Sequence, residues 1–191
     1  DLFELGLITY HRTDSTRISD AGIAIAKAYL EERYGDKYSE YFVRRTWGEG
    51  GAHEAIRPTR PIDPDRLKQL VREGVIMLAK PLTRQHYELY ELIFKRFIAS
   101  QMKAAKVRKQ RLIIHIDEEV LNTEIYVSIV DPGFLDIYPG YIRVEKPVKP
   151  GVYNVVKTFL VKPPLARYHD VINWMKTQGI GRPSTYAKIL Q

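Results

Sequence analysis

Cysteine is absent from the 191 residues, which leaves the chain without a disulfide framework or a thiolate metal site. No apolar run approaches the ~20 residues that a membrane-spanning helix needs. No secretory signal pattern is visible at Asp1, so a cytoplasmic location is expected. Internal repeats and low-complexity tracts are missing too. Asn and Gln are sparse while charged residues reach 28%, a balance compatible with a high-temperature host.

What the chain does have is an ordinary hydrophobic content of 45%, enough for one sizeable core or two small domains. Lys and Arg number 30 against 23 Asp and Glu, a net charge of +7. That excess favours an anionic partner, most simply nucleic acid, and a monomer is expected.

Periodicity divides the chain. DLFELGL reads as the last turns of a helix with Gly6 at its cap, and KILQ stops inside a new helix, so both ends are expected to be cuts in a longer polypeptide. Ser19 offers an N-cap for a helix with Ile23, Ala26, Leu30 and Tyr34 on one face, ended by Gly35. Residues 46–61 are loop-like, and Asp63-Pro64 opens a second helix. Thr83 opens the clearest one, with Tyr87, Tyr90, Phe94, Phe97, Ile98 and Gln101 along one flank. The period then changes: strands are expected at 106–117, 122–130 and 152–162. A last helix runs over 168–178 to Gly179, ahead of GIGRPSTYAKIL.

Four stretches carry chemistry. In ITYHRTDST, Tyr10 and Arg12 stand amid hydroxyls and one acid. A tyrosine hydroxyl, with an ordinary pKa of ~10, is a poor nucleophile unless a cation assists it, and Arg12 can do so while gripping a phosphate. The competing reading is a helix-to-loop connection with Tyr10 packed and Asp14 and Ser15 capping the next turn. In AHEAIRP, His53 and Arg57 can donate to a phosphate; alternatively His53 is a surface histidine and Glu54 pairs with Arg57. Position 57 is Arg, so the HExxH zinc pattern is absent. GIGRPSTYA sets Arg182, Ser184 and Thr185 at a helix start, either an anion site or an ordinary capped helix. Residues 95–111 hold seven basic residues and no acid, a DNA-channel stripe or a solvated face.

Taken in order, ITYHRTDST, AHEAIRPT and GIGRPSTYA resemble the motifs of the type IA DNA topoisomerases, and the likeness spans nearly the whole chain. His11 after the tyrosine, RPTRP and LIFKRFIASQM are similar to the reverse gyrases within that family. The resemblance implies that Tyr10 attacks a single-strand phosphodiester and becomes linked to the 5′ phosphate, with Arg12 on the scissile phosphate. It implies DNA contacts at His53 and Arg57, and a single-strand path lined by Arg182, Ser184 and Thr185. It implies a mixed α and β fold: a helical tyrosine domain over 1–82, a β-rich arch over 83–165, and the start of a further helical, single-strand-binding domain over 166–191. Family members also carry a Toprim domain whose acids bind Mg²⁺, and reverse gyrases a helicase-like half that uses ATP. Nothing here resembles either, so the Mg²⁺ ligands are expected outside this chain and the fragment alone is expected to be inactive. The alternative is a non-catalytic, basic module binding single-stranded nucleic acid. A tyrosine recombinase fits poorly, because its tyrosine is C-terminal.

Overall fold

Helices begin where the sequence supplies caps. The computed structural model describes residues 1–49, 52–157, 165–183 and 185–190. Helix α1 spans Asp20–Tyr34: the Ser19 hydroxyl accepts from Gly22 N at 3.2 Å, and Gly35 (φ 56°) ends it. One further turn, α2 (Tyr38–Tyr41), follows. Asp63 caps α3 (Pro64–Arg72), accepting from Arg66 N at 2.8 Å, with Pro64 at a position that needs no N–H. At the head of α4 (Arg84–Ser100), Thr83 N donates to His86 Nδ1 at 3.0 Å. The opening residues close as read: Gly6 (φ 69°) follows a turn in which Leu7 N reaches Leu2 O at 2.9 Å and Gly6 N reaches Phe3 O at 2.8 Å, the double bond of a Schellman cap.

The core lies where the apolar faces meet: Ala26 and Leu30 of α1, Leu67 of α3, and Tyr90, Phe94 and Ile98 of α4, all buried. Phe94 meets Tyr29 edge-on with ring centroids 4.9 Å apart. Burial pushes the Tyr90 hydroxyl's pKa up, and that hydroxyl donates to Ile62 O at 2.7 Å. Gln101, fully buried at the end of this face, is satisfied by backbone. Its amide donates to Arg45 O at 2.8 Å and accepts from Arg45 N at 3.0 Å, standing in for a strand.

Strands β1 (Lys106–Ile116) and β2 (Glu119–Asp131) pair antiparallel, with Ile116 opposite Glu119 and Arg111 opposite Glu124. The turn places Asp117 at φ 51°, a conformation Asp tolerates. Register irregularities fall near the root, between Lys106 and Val107 and between Arg108 and Lys109. The strand expected at 152–162 is a correction. Residues 152–157 are exposed and form no strand among the described residues, and 158–162 lie outside the described residues. Alternating valines satisfied the pattern, yet Pro147, Pro150 and Gly151 precede them, and the third segment touching the hairpin is instead Val144, in a parallel bridge to Tyr126. Among the described residues the expected β-rich arch is therefore one long hairpin.

Both crossings into the hairpin are clamped together. Lys103 Nζ lies 3.0 Å from Asp131 Oδ2, and Phe134 N donates to Lys103 O at 3.0 Å. Gly133 (φ 49°) sits so close that an added Cβ would lie 2.5 Å from Ala104 O. Gly133→Ala is expected to lower stability by about 2–4 kcal/mol, from backbone overlap plus left-handed strain; chemical denaturation would read the loss.

The chain forms two compact units, Asp1–Pro147 and Val148–Gln191, the first running through residue 82. In the second, α5 (Tyr168–Thr177) starts with Asp170 accepting from Arg167 N at 2.9 Å and ends at Gly179 (φ 69°), before the single turn α6 (Tyr186–Ile189). No helix among the described residues is long and apolar enough to cross a membrane.

Candidate active site

Thr9 laces two distant motifs together. Its N donates to Arg57 O at 2.9 Å, while Thr59 N returns a bond to Leu7 O at 3.1 Å, making a short antiparallel bridge at Ile8 and Pro58. The Thr9 hydroxyl adds a side-chain stitch, donating to Ala55 O at 2.8 Å and accepting from Arg57 N at 3.0 Å. Hydroxyls then turn the loop back on itself: Thr13 Oγ1 accepts from Ser15 N at 3.0 Å, and Ser15 Oγ from Arg17 N at 3.1 Å. Arg17 O then accepts from Ala55 N at 2.8 Å. The run of small hydroxyls is thus the folding code of the loop that carries the tyrosine.

Beneath it lies a buried ion pair. Arg57 is only 5% exposed, and its guanidinium meets the Glu54 carboxylate with two bonds, Nη2 to Oε1 at 2.6 Å and Nε to Oε2 at 2.9 Å. Nη1 donates to Pro58 O at 2.9 Å, and Glu54 Oε2 also accepts from Ser19 N at 3.2 Å. Of the two arrangements open to AHEAIRP, the Glu54–Arg57 pair is the one present, and Arg57 faces inward rather than toward a solvent-side phosphate. Burial alone would push the Glu54 carboxyl up; bonds from Arg57 and Ser19 and the Arg57 charge outweigh it and hold the pKa below its ordinary value.

Gly22, on the first turn of α1, leaves room for this pair: a Cβ there would lie 2.6 Å from Arg57 Nε and 2.8 Å from Ile18 Cγ2. Both neighbours are pinned. Gly22→Ala is expected to cost about 1–3 kcal/mol despite alanine's better helix propensity, a loss that thermal unfolding would register.

Tyr10 is half-buried among three rings. Phe3 stands edge-on at 5.2 Å, His53 at 5.0 Å and His11 at 5.5 Å between centroids. Its hydroxyl has no hydrogen-bond partner among the described residues. It borders a cavity of about 270 Å³ lined by Thr9, Tyr10, Arg17, Ala52, His53 and Glu54. Arg12 is exposed, with neither ion pair nor hydrogen bond among the described residues, and does not line this cavity. Arg17, which sequence reasoning passed over, does; its half-buried guanidinium has no partner among the described residues. The signal for it lay in the hydroxyls at 13 and 15, whose turns carry residue 17 back to the tyrosine.

Arg182 and Thr185 belong to the second unit. The Thr185 hydroxyl accepts from Arg182 N at 2.8 Å, and the exposed Arg182 guanidinium has no partner among the described residues. Ser184 lies outside the described residues. Along 95–111, Lys95 pairs with Glu91, Lys103 with Asp131 and Lys109 with Glu124, while Arg96, Arg108 and Arg111 are exposed without a carboxylate partner among the described residues. Among the described residues no group of three or more His, Asp or Glu is placed to hold a metal ion.

Comparison with known proteins bears on this geometry. The family model described as DNA topoisomerase matches residues 1–191. The chain is 51% identical over 195 residues to the reverse gyrase of Pyrococcus furiosus and 50% identical over 194 residues to that of Pyrobaculum aerophilum, in each case over 100% of this chain and 16% of the relative. Reverse gyrase 1 of Aquifex aeolicus is 46% identical over 197 residues, again 100% of this chain and 16% of that protein. The chain therefore spans about a sixth of the length of these curated relatives.

Proposed function

This chain belongs to the DNA topoisomerase family, and from that premise we propose that it is the tyrosine-bearing part of a type IA enzyme, a reverse gyrase, that breaks and rejoins one DNA strand. The observation that carries the reading is the Tyr10 hydroxyl, without a hydrogen-bond partner among the described residues, at the edge of a polar cavity beside His53 and Arg17. In the proposed reaction the phenolic oxygen attacks a backbone phosphorus. The P–O3′ bond breaks, the phenol's proton is given up, and the departing 3′ oxygen takes one. The product is a 5′-phosphotyrosine ester whose energy matches the bond it replaced. Attack by the 3′ hydroxyl reverses the sequence, and no cofactor is consumed.

Charge gathers on the non-bridging oxygens as phosphorus becomes five-coordinate, and cations stabilise it. Arg12, exposed and unpaired among the described residues, is assigned to the scissile phosphate and His53 to a DNA contact beside the tyrosine. Arg182 and Thr185, with Ser184, are assigned to the single-strand path of the second unit. Arg57 acts as a positioning residue, holding the AHEAIRP backbone to which Thr9 is stitched. A divalent metal would add charge stabilisation at the phosphate. The described residues offer it no ligand set, so its ligands are assigned to a Toprim part beyond this chain, and ATP to a helicase-like part. The helical body would be the tyrosine domain, the β1–β2 hairpin part of an arch that opens the gate, and α5–α6 the start of a strand-binding domain.

The test uses the full-length protein, Mg²⁺ and a single-stranded oligonucleotide labelled at one end. On a denaturing gel, label at the 3′ end is expected to migrate with the protein and label at the 5′ end is not. Transfer of 5′ label alone would sink the proposed polarity. DNA binding with no transfer from either end would make the chain a non-catalytic binding module.

A further inference from the structure

We propose that the hollow at the root of the β1–β2 hairpin is a second nucleotide site, in which a base of single-stranded DNA stacks on Trp47 while Arg45 and Arg96 face its phosphates. The identity of the ligand rests on the reading of the chain as part of a DNA topoisomerase. The hollow, about 530 Å³, is lined by Trp47, Phe134, Tyr138 and Tyr141 together with Arg45 and Arg96, and shares no residue with the cavity at Tyr10.

Trp47 is the unusual residue. Its φ of 54° puts a bulky side chain in the left-handed region, where strain persists only if the surroundings or a function require it. Burial does not compensate, because the side chain is 51% exposed. Beside it Arg45 is immobilised: Nη1 donates to Ser100 O at 3.0 Å and Met102 O at 2.6 Å, and the guanidinium carbon lies 5.7 Å from the indole centroid. Among the described residues no carboxylate pairs with Arg45 or Arg96. Tyr141, 70% exposed, stands edge-on to Phe134 at 5.6 Å. Flat apolar faces beside uncompensated, fixed guanidinium charge match a nucleotide, which joins a π surface to an anion. A purely apolar peptide would leave Arg96 and the remaining N–H donors of Arg45 unanswered, and a bare phosphate would leave the aromatic faces unused.

The position adds a purpose. Thr46 O accepts from Ile18 N at 2.7 Å, and a Cβ on Gly48 would lie 2.6 Å from Thr16 Oγ1, so both neighbours of Trp47 press on the tail of the tyrosine loop. The opposite wall, Ala104 and Phe134, belongs to the two crossings into the hairpin. A seated base would touch the tyrosine loop's support and the hairpin's root together.

The chain has two tryptophans, so Trp174→Phe leaves Trp47 as the sole indole reporter. Titration with oligothymidylate is expected to quench it saturably, while an abasic strand of equal length is not. Trp47→Ala should weaken oligothymidylate binding about 5- to 100-fold, with Trp47→Phe in between, and Arg96→Gln should reduce the salt slope by about one. Should circular dichroism show Trp47→Ala unfolded, the exposed Tyr141→Ala replaces it, with a loss of several-fold expected. Equal binding by parent and variant, equal quenching by the abasic strand, or thymidine monophosphate binding as tightly as the oligomer would each overturn the proposal. A Tyr10 adduct in the full-length protein without stacking by this chain sinks this site alone; stacking without an adduct in the full-length protein sinks the catalytic reading alone.

Discussion

Tyr10→Phe is expected to abolish the covalent protein–DNA adduct, lowering cleavage in the full-length protein by at least about 10⁴-fold, with folding unchanged. The substitution removes one oxygen and keeps the ring that Phe3 and His53 pack against. Because that hydroxyl has no hydrogen-bond partner among the described residues, its loss leaves no buried group unsatisfied, and stability should shift by less than about 0.5 kcal/mol. Adduct yield on a denaturing gel and a parallel melting curve separate the two effects. An adduct surviving in the variant would move the nucleophile elsewhere.

Breaking the Glu54–Arg57 pair should have the largest effect on stability. Glu54→Ala leaves a guanidinium that is 5% exposed without its counter-charge, and the expected loss is about 3–5 kcal/mol. Glu54→Gln keeps an acceptor and should lose less. The same pair gives acid sensitivity a sign. With the folded pKa held below the unfolded value of about 4.3, the stabilisation is present above that pH and disappears as the pH falls through the lower folded value. Urea unfolding at pH 7 and pH 3 should therefore show a gap between parent and Glu54→Gln that narrows in acid; a gap that held constant would contradict the linkage.

The helices were legible because each advertised its ends: Ser19, Asp63 and Thr83 at the starts, and Gly6, Gly35 and Gly179 at the stops, were readable before any packing was known. The hairpin was legible from its β-branched runs. Over 152–157 the expected third strand misled because alternation records only that a segment suits a sheet, and a strand also needs a neighbour with free backbone groups. At the site, adjacency of the tyrosine and histidine motifs followed from the family likeness, whereas the means did not. That Thr9 stitches residues 46 and 48 positions away depends on long-range pairing, which no local pattern encodes. The inward aim of Arg57 likewise depends on Gly22, a residue on another element, having no side chain.

The hairpin has a mechanical consequence. Its strands carry Ile113, Ile114, Val120 and Leu121 in the open, and among the described residues no second layer of sheet or helix stiffens the ribbon. At about 3.4 Å per residue, the 11 residues of β1 make a lever arm of roughly 35 Å. A pivot of about 10° at the root would sweep the tip through some ~6 Å. The Lys103–Asp131 and Gly133–Ala104 contacts oblige both crossings to turn as one axle. Torque applied far out on the ribbon would converge on that fulcrum, beside Trp47.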